Sequence, residues 1–102
     1  MISDRPVREP AIYMLATKPY GTLYVGVTSD LVKRIWEHRS DTTDGFTKRY
    51  GIHRLVHFEQ FGSMVEAIER EKELKKWRRA WKIALVEEAN PDWRDLWPEI
   101  SQ

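Results

Sequence analysis

Two phenols, a guanidinium and an imidazole fall within 26 residues of one another, as Tyr13, Tyr24, Arg34 and His38. These groups suit work on a phosphate better than they suit a core. Arg34 stays charged and can donate two hydrogen bonds from a planar fork, which matches a phosphate. On residue type alone a solvated helix charge is the more usual fate of an arginine. His38 can carry a proton near neutral pH, or simply end a helix. A tyrosine titrates near 10, so either phenol needs a neighbouring cation to act as a base, and Arg34 or a bound metal could supply it. Aromatic residues in strands are otherwise ordinary packing. Glu71 is the fifth group. A helical projection sets it among Ala67, Ile68 and Leu74, where a carboxylate must be paired or bind a cation to offset its burial. Lys75, one turn on, can supply that pair as a purely structural ion bridge.

The elements that must position these groups follow from the pattern. Ala11–Thr17 and Thr22–Thr28 are two short strand-like runs around a Lys18-Pro19-Tyr20-Gly21 turn, where Pro fixes φ and Gly permits a positive φ. Each run holds one of the tyrosines. A helix from Asp30 to Arg39 follows at once, with Thr28, Ser29 or Asp30 able to cap it. Arg34 and His38 are four residues apart and share a face of that helix, and Leu31 and Ile35 point it inward. A polar loop, 40–51, contains Tyr50, which with Lys33 is a weaker candidate for phosphate contact or water positioning. Arg54–Phe61 alternates as a third strand. Ser63 caps a second helix with Glu66 as a capping-box partner. That helix runs to Trp77 and breaks near Arg79. A third helix spans Trp81–Ala89, and Asn90-Pro91 ends it. Asp92–Ile100 carries Trp93 and Trp97 and folds back as a lid. His53 and His57 keep no such company and are read as structural.

Composition sets limits. The chain of 102 residues is enough for one domain with a modest core, after an arm at residues 1–10. The net charge of +1 does not announce a polyanionic partner, but the charge is uneven. Residues 70–82 hold seven Lys/Arg against two Glu, while 83–102 hold five acids against one Arg. The basic run interleaves Trp77 and Trp81 and includes Lys75 and Arg78. It is either a solvated face over buried tryptophans or an electrostatic track for a phosphate backbone, salt-sensitive and non-specific. There is no cysteine, which excludes disulfides and cysteine zinc sites and suits a reducing compartment. The segment MISDRPVREP has no apolar centre and is not a signal peptide, and no run is long enough to span a membrane.

The ordered motifs resemble the GIY-YIG endonuclease superfamily. Ala11-Ile12-Tyr13 is similar to its first motif and Tyr24-Val25-Gly26 to its second, while Arg34 and His38 match the Arg and His of its first helix. The chain departs from the pattern at Ala11, usually Gly, and at Val25, often Ile. Neither change removes a functional group. The likeness covers about residues 11–97 and looks closest to small stand-alone bacterial members, which implies a cytoplasmic setting. It implies an α+β fold in β-β-α-β-α-α order, a three-stranded antiparallel sheet flanked by helices. It implies both tyrosine hydroxyls in an active site, Glu71 as the metal-binding carboxylate with Glu69 and Glu73 as register rivals, and Asn90 as a supporting residue. One carboxylate completed by water and phosphate oxygens fits Mg²⁺ or Mn²⁺. The implied activity is metal-dependent phosphodiester hydrolysis in nucleic acid, DNA before RNA, with either low intrinsic affinity or a protein partner supplying the targeting that such members otherwise gain from fused domains. A catalytically weak nucleic-acid-binding module is the second reading. A third, a protein-binding module with a tryptophan-rich C-terminus, requires Trp93 and Trp97 to be exposed.

Overall fold

The computed structural model describes residues 9–40 and 51–101. A three-stranded antiparallel sheet in the order β2-β1-β3 lies at its centre, formed by β1 (Ala11–Ala16), β2 (Leu23–Thr28) and β3 (Arg54–Gln60). All six residues of β1 are buried, so this apolar run takes the middle, with both faces covered. Alternation then sorts the side chains onto two faces. Ala11, Tyr13 and Leu15 join Leu31 and Ile35 of α1 (Leu31–Arg39). Ile12, Met14 and Ala16 join Ala67 and Leu74 of α2 (Met64–Lys76) and Val86 of α3 (Arg79–Ala89). The fold is the α+β arrangement expected, with a short fourth helix, α4 (Trp97–Ile100), added at the end.

The local signals act mostly as read. Asp30 is the residue that caps α1, accepting from the Lys33 backbone N–H at 3.3 Å. Ser63 caps α2 by accepting from the Glu66 N–H at 3.2 Å. Two details differ. In the β1–β2 turn the positive φ falls on Tyr20, at 59°, and not on Gly21. Contacts with α3 hold it there. Tyr20 donates its hydroxyl to Glu87 and packs its ring 5.0 Å from that of Trp93. Arg79 grips the carbonyls of Tyr20 and Gly21 at 2.6 and 2.8 Å. The second difference is that α3 begins at Arg79, two residues before the expected Trp81. The break is confined to Trp77 and Arg78, both extended, and Trp77 packs there against the core.

The C-terminal segment does fold back. Trp93 is buried at 1% exposure on the α2–α3 face, while Leu96 and Ile100 join the α1 face. The segment therefore wraps around the β3 edge, where the Leu96 N–H donates to the Leu55 carbonyl at 2.8 Å. Trp97 packs against the α1-side core. A protein-binding surface built on exposed Trp93 and Trp97 is thereby excluded. Among the described residues no helix is long and apolar enough to cross a membrane.

Candidate active site

Strand pairing brings the two tyrosines to one face. Tyr13 lies opposite Gly26, and Tyr24 opposite Leu15, so both phenols stand on the α1 side of the sheet. Gly26 is the reason Tyr13 fits. A Cβ there would lie 2.3 Å from Tyr13 Cζ and 2.4 Å from its oxygen, so the phenol ring occupies the space a side chain would take. Helix α1 is anchored by Leu31 and Ile35, and this places Arg34 and His38 against the same tyrosine.

The three groups form a bonded set. Arg34 Nε donates to the Tyr13 hydroxyl oxygen at 3.3 Å, and His38 Nε2 lies 3.1 Å from the same oxygen. Tyr24 closes the cluster, with its ring centroid 6.3 Å from that of Tyr13 and 5.9 Å from that of His38. Arginine can only donate, so the single Tyr13 proton is left for Nε2 of an unprotonated His38 or for Tyr24. Electrostatics keeps the set neutral apart from Arg34. Burial pushes Tyr13 up to about 12, and the Arg34 hydrogen bond offsets this only in part. The Arg34 cation stands beside the phenol as the sequence reading required, but desolvation outweighs it. Burial, then the charge of Arg34, pushes His38 down to about 4, so the imidazole is uncharged at neutral pH. Arg34 is raised further, first by its bond to Tyr13.

Arg34 also lines a polar cleft of about 300 Å³ with Thr28, Ser29, Asp30, Lys33 and Glu37. Its Nη1 reaches Glu37 Oε1 at 3.3 Å. Lys33 is thus brought to the site. Glu37 was not singled out from the sequence, although its spacing of three from Arg34 was a readable signal. His53, read as structural, lies close enough for its charge to bear on His38. Nothing local in the sequence pointed to that, because the contact joins distant segments.

The remaining candidates lie apart. Glu71 is largely shielded, with 16% of its side chain exposed, and pairs with Lys75 at 3.0 Å. It stands on the stripe of α2 that carries Ala67 and Leu74, and no hydrogen bond among the described residues joins it to the tyrosine cluster. Arg78 lies over the Trp81 ring at 4.9 Å. Asn90 is buried, and its amide is committed to backbone. Nδ2 donates to the carbonyls of Val56 at 3.1 Å and Arg94 at 2.9 Å, while Oδ1 accepts from the Arg94 N–H at 3.1 Å. That buried position supports the fold and leaves no amide hydrogen for a substrate. Tyr50 lies outside the described residues.

Residues 9–84 match the family model described as the GIY-YIG catalytic domain. The chain belongs to the GIY-YIG family. Its relatives include a UPF0213 protein of Staphylococcus saprophyticus, 36% identical over 77 residues that span 76% of this chain and 93% of that one. Another from Haloquadratum walsbyi is 37% identical over 66% of this chain and 75% of its own length. A solution NMR structure of a UPF0213 protein from Bacillus halodurans shares 32% identity over 76% of this chain and 83% of that one, with a TM-score of 0.48. The GIY-YIG match covers every member of the tyrosine cluster and Glu71, and stops short of Asn90. Membership makes this a nuclease-type domain, whose substrate is nucleic acid.

Proposed function

We propose that this GIY-YIG domain, residues 11–100, is a divalent-metal-dependent endonuclease that hydrolyses phosphodiester bonds in DNA in the cytoplasm, with targeting supplied by a protein partner. The observation that carries the reading is one oxygen, that of Tyr13, held between the Arg34 guanidinium and the His38 imidazole. In hydrolysis a water adds to phosphorus and the bond to the leaving oxygen breaks. Arg34, at the cleft wall, neutralises charge that builds on the scissile phosphate. Tyr13 remains protonated at neutral pH, so it serves as a conduit. It accepts the water's proton as it passes its own to His38 Nε2. An arriving phosphate offsets the Arg34 charge that depresses His38, which returns part of the imidazole's basicity. Tyr24 orients phosphate or water. Lys33 adds a second cation to the cleft, and Lys75 and Arg78 contact the backbone further along.

The donor set fits a hard cation held mainly by water and phosphate oxygens. Among the described residues no cluster of three His, Cys, Asp or Glu could cage a metal. Glu71 is a shielded single carboxylate, the type of ligand that Mg²⁺ or Mn²⁺ accepts alongside several waters. Glu71 would hold the ion after releasing Lys75. When bound, the ion supplies positive charge against the phosphate oxygens and the leaving group.

The test is cleavage of labelled single-stranded, double-stranded and branched DNA and RNA with Mg²⁺, Mn²⁺ or EDTA, for the wild type and folded Glu71→Ala. Cleavage that requires a metal and is lost in the variant supports the reading. Salt-sensitive binding without cleavage of any substrate would replace it with a catalytically weak binding module. Cleavage that persists in EDTA would refute the metal dependence.

A further inference from the structure

The junction of α2 and α3 carries a surface that the tyrosine cluster does not use. Arg70 lies over the Trp77 ring at 5.2 Å, Trp77 meets Trp81 edge-on at 6.0 Å, and Arg78 lies over Trp81 at 4.9 Å. The four side chains form a continuous ladder, two edge-on indoles with a guanidinium over each. Its outer rung is open: Trp81 is 52% exposed, while Trp77 is held against the core. An indole left half in water has no folding benefit to match its size, and here it stands in the most basic part of the chain. Much of that charge is already committed. Arg70 is paired with Glu59 and Glu73, Lys75 with Glu71, and Arg79 with the turn carbonyls. Lys72, Lys76, Arg78 and Lys82 form no ion pair among the described residues, so Arg78, which lies on the open indole, and three lysines of the same basic run remain available to an anion.

We infer that Trp81 and Arg78 form a second nucleic-acid contact, a platform on which an unpaired base stacks while the neighbouring cations hold its phosphates. The inference rests on the nuclease reading for its role, and extends it to the class of substrate. Every base offers a π-face to an indole, and a guanidinium already stacked on the ring fixes the platform before the base arrives. A base inside a duplex cannot present that face. The substrate is therefore single-stranded, or has an unpaired flap or gap beside the cleaved bond.

The experiment is titration of the protein in EDTA with a twelve-residue oligothymidine and with a twelve-base-pair duplex, following the labelled nucleic acid at several salt concentrations. Trp81→Ala should weaken oligothymidine binding about fivefold to 150-fold and leave duplex binding unchanged. Trp81→Phe should recover most of the loss. Arg78→Ala should lower the salt slope by about one, whereas Trp81→Ala should not. Trp36→Ala is the control, since Trp36 is 53% exposed but lies on α1 away from the ladder. Wild-type affinity in Trp81→Ala, equal losses on duplex and single strand, or an equal loss in Trp36→Ala would overturn the platform. Binding in EDTA requires no turnover, so a Trp81 effect in a protein that cleaves nothing would sink the nuclease reading alone. Metal-dependent cleavage with no Trp81 effect would sink the platform alone.

Discussion

Replacing Gly26 by Ala should damage the site without touching any polar group. The added Cβ would sit 2.3 Å from Tyr13 Cζ, and carbon atoms pack comfortably only from about 3.5 Å, so the ring must retreat by about 1 Å. Tyr13 is 1% exposed and has nowhere empty to go. Its retreat stretches the 3.3 Å bond from Arg34 and the 3.1 Å contact with His38 beyond hydrogen-bonding distance. Overpacking of this kind costs about 1–3 kcal/mol, to be read from urea unfolding. A misplacement of about 1 Å in reacting groups slows chemistry roughly 100-fold, to be read from single-turnover cleavage. In a Tyr13→Ala background the same Gly26→Ala change should be nearly free, because the clash partner is gone. The two sites should therefore couple by about 1–3 kcal/mol. Gly62→Ala is the matched control, since the nearest atom to its new Cβ is a mobile Glu66 oxygen at 3.5 Å. Wild-type stability and cleavage in Gly26→Ala, or equal damage in both backgrounds, would refute the argument.

Three further outcomes follow from the same geometry. His38 is held at about 4, below its ordinary 6.5, so its contribution to stability is whole above pH 6.5 and is lost as pH falls towards 4. The loss reaches about 3 kcal/mol, and His38→Gln should flatten unfolding free energy across that window. Glu59 is held at about 2, first by its hydrogen bond to His57 and then by Arg70, so its contribution is present above pH 4.5 and lost between 4.5 and 2. Glu59→Gln should flatten only this lower window in acid titrations of unfolding. Asn90→Ala should cost about 1–3 kcal/mol in urea unfolding, since it strands buried backbone groups, yet leave the KM for an oligonucleotide unchanged.

The elements and the tyrosine cluster were legible because local rules govern them. The β-branched and aromatic runs that become Ala11–Ala16 and Leu23–Thr28, the Asp30 and Ser63 caps, and the i, i+4 spacing of Arg34 and His38 all act over a few residues. What was hidden depends on distant contacts. Gly21 looked like the strained turn residue, but Glu87, Trp93 and Arg79 reach across from α3 and its following segment and place the positive φ on Tyr20. The proximity of His53 to His38 joins separate segments. The phenol's resistance to ionisation was equally hidden, because it depends on how completely Tyr13 is buried, which composition does not state. Glu71 illustrates an intermediate case. Its place on the Ala67–Leu74 stripe could be read from periodicity, and the Lys75 pair was one of its two foreseen partners.

The central claim is that phosphodiester chemistry occurs where Arg34 and His38 meet the Tyr13 oxygen. The most direct measurement is metal-dependent single-turnover cleavage by Arg34→Ala, Arg34→Lys and Tyr13→Phe, each with unfolding curves to establish that it is folded. The account predicts a loss of at least about 100-fold in Arg34→Ala and Tyr13→Phe, with partial activity in Arg34→Lys, which keeps the charge but not the fork. Wild-type rates in folded Arg34→Ala or Tyr13→Phe would contradict it and place the chemistry elsewhere in the chain.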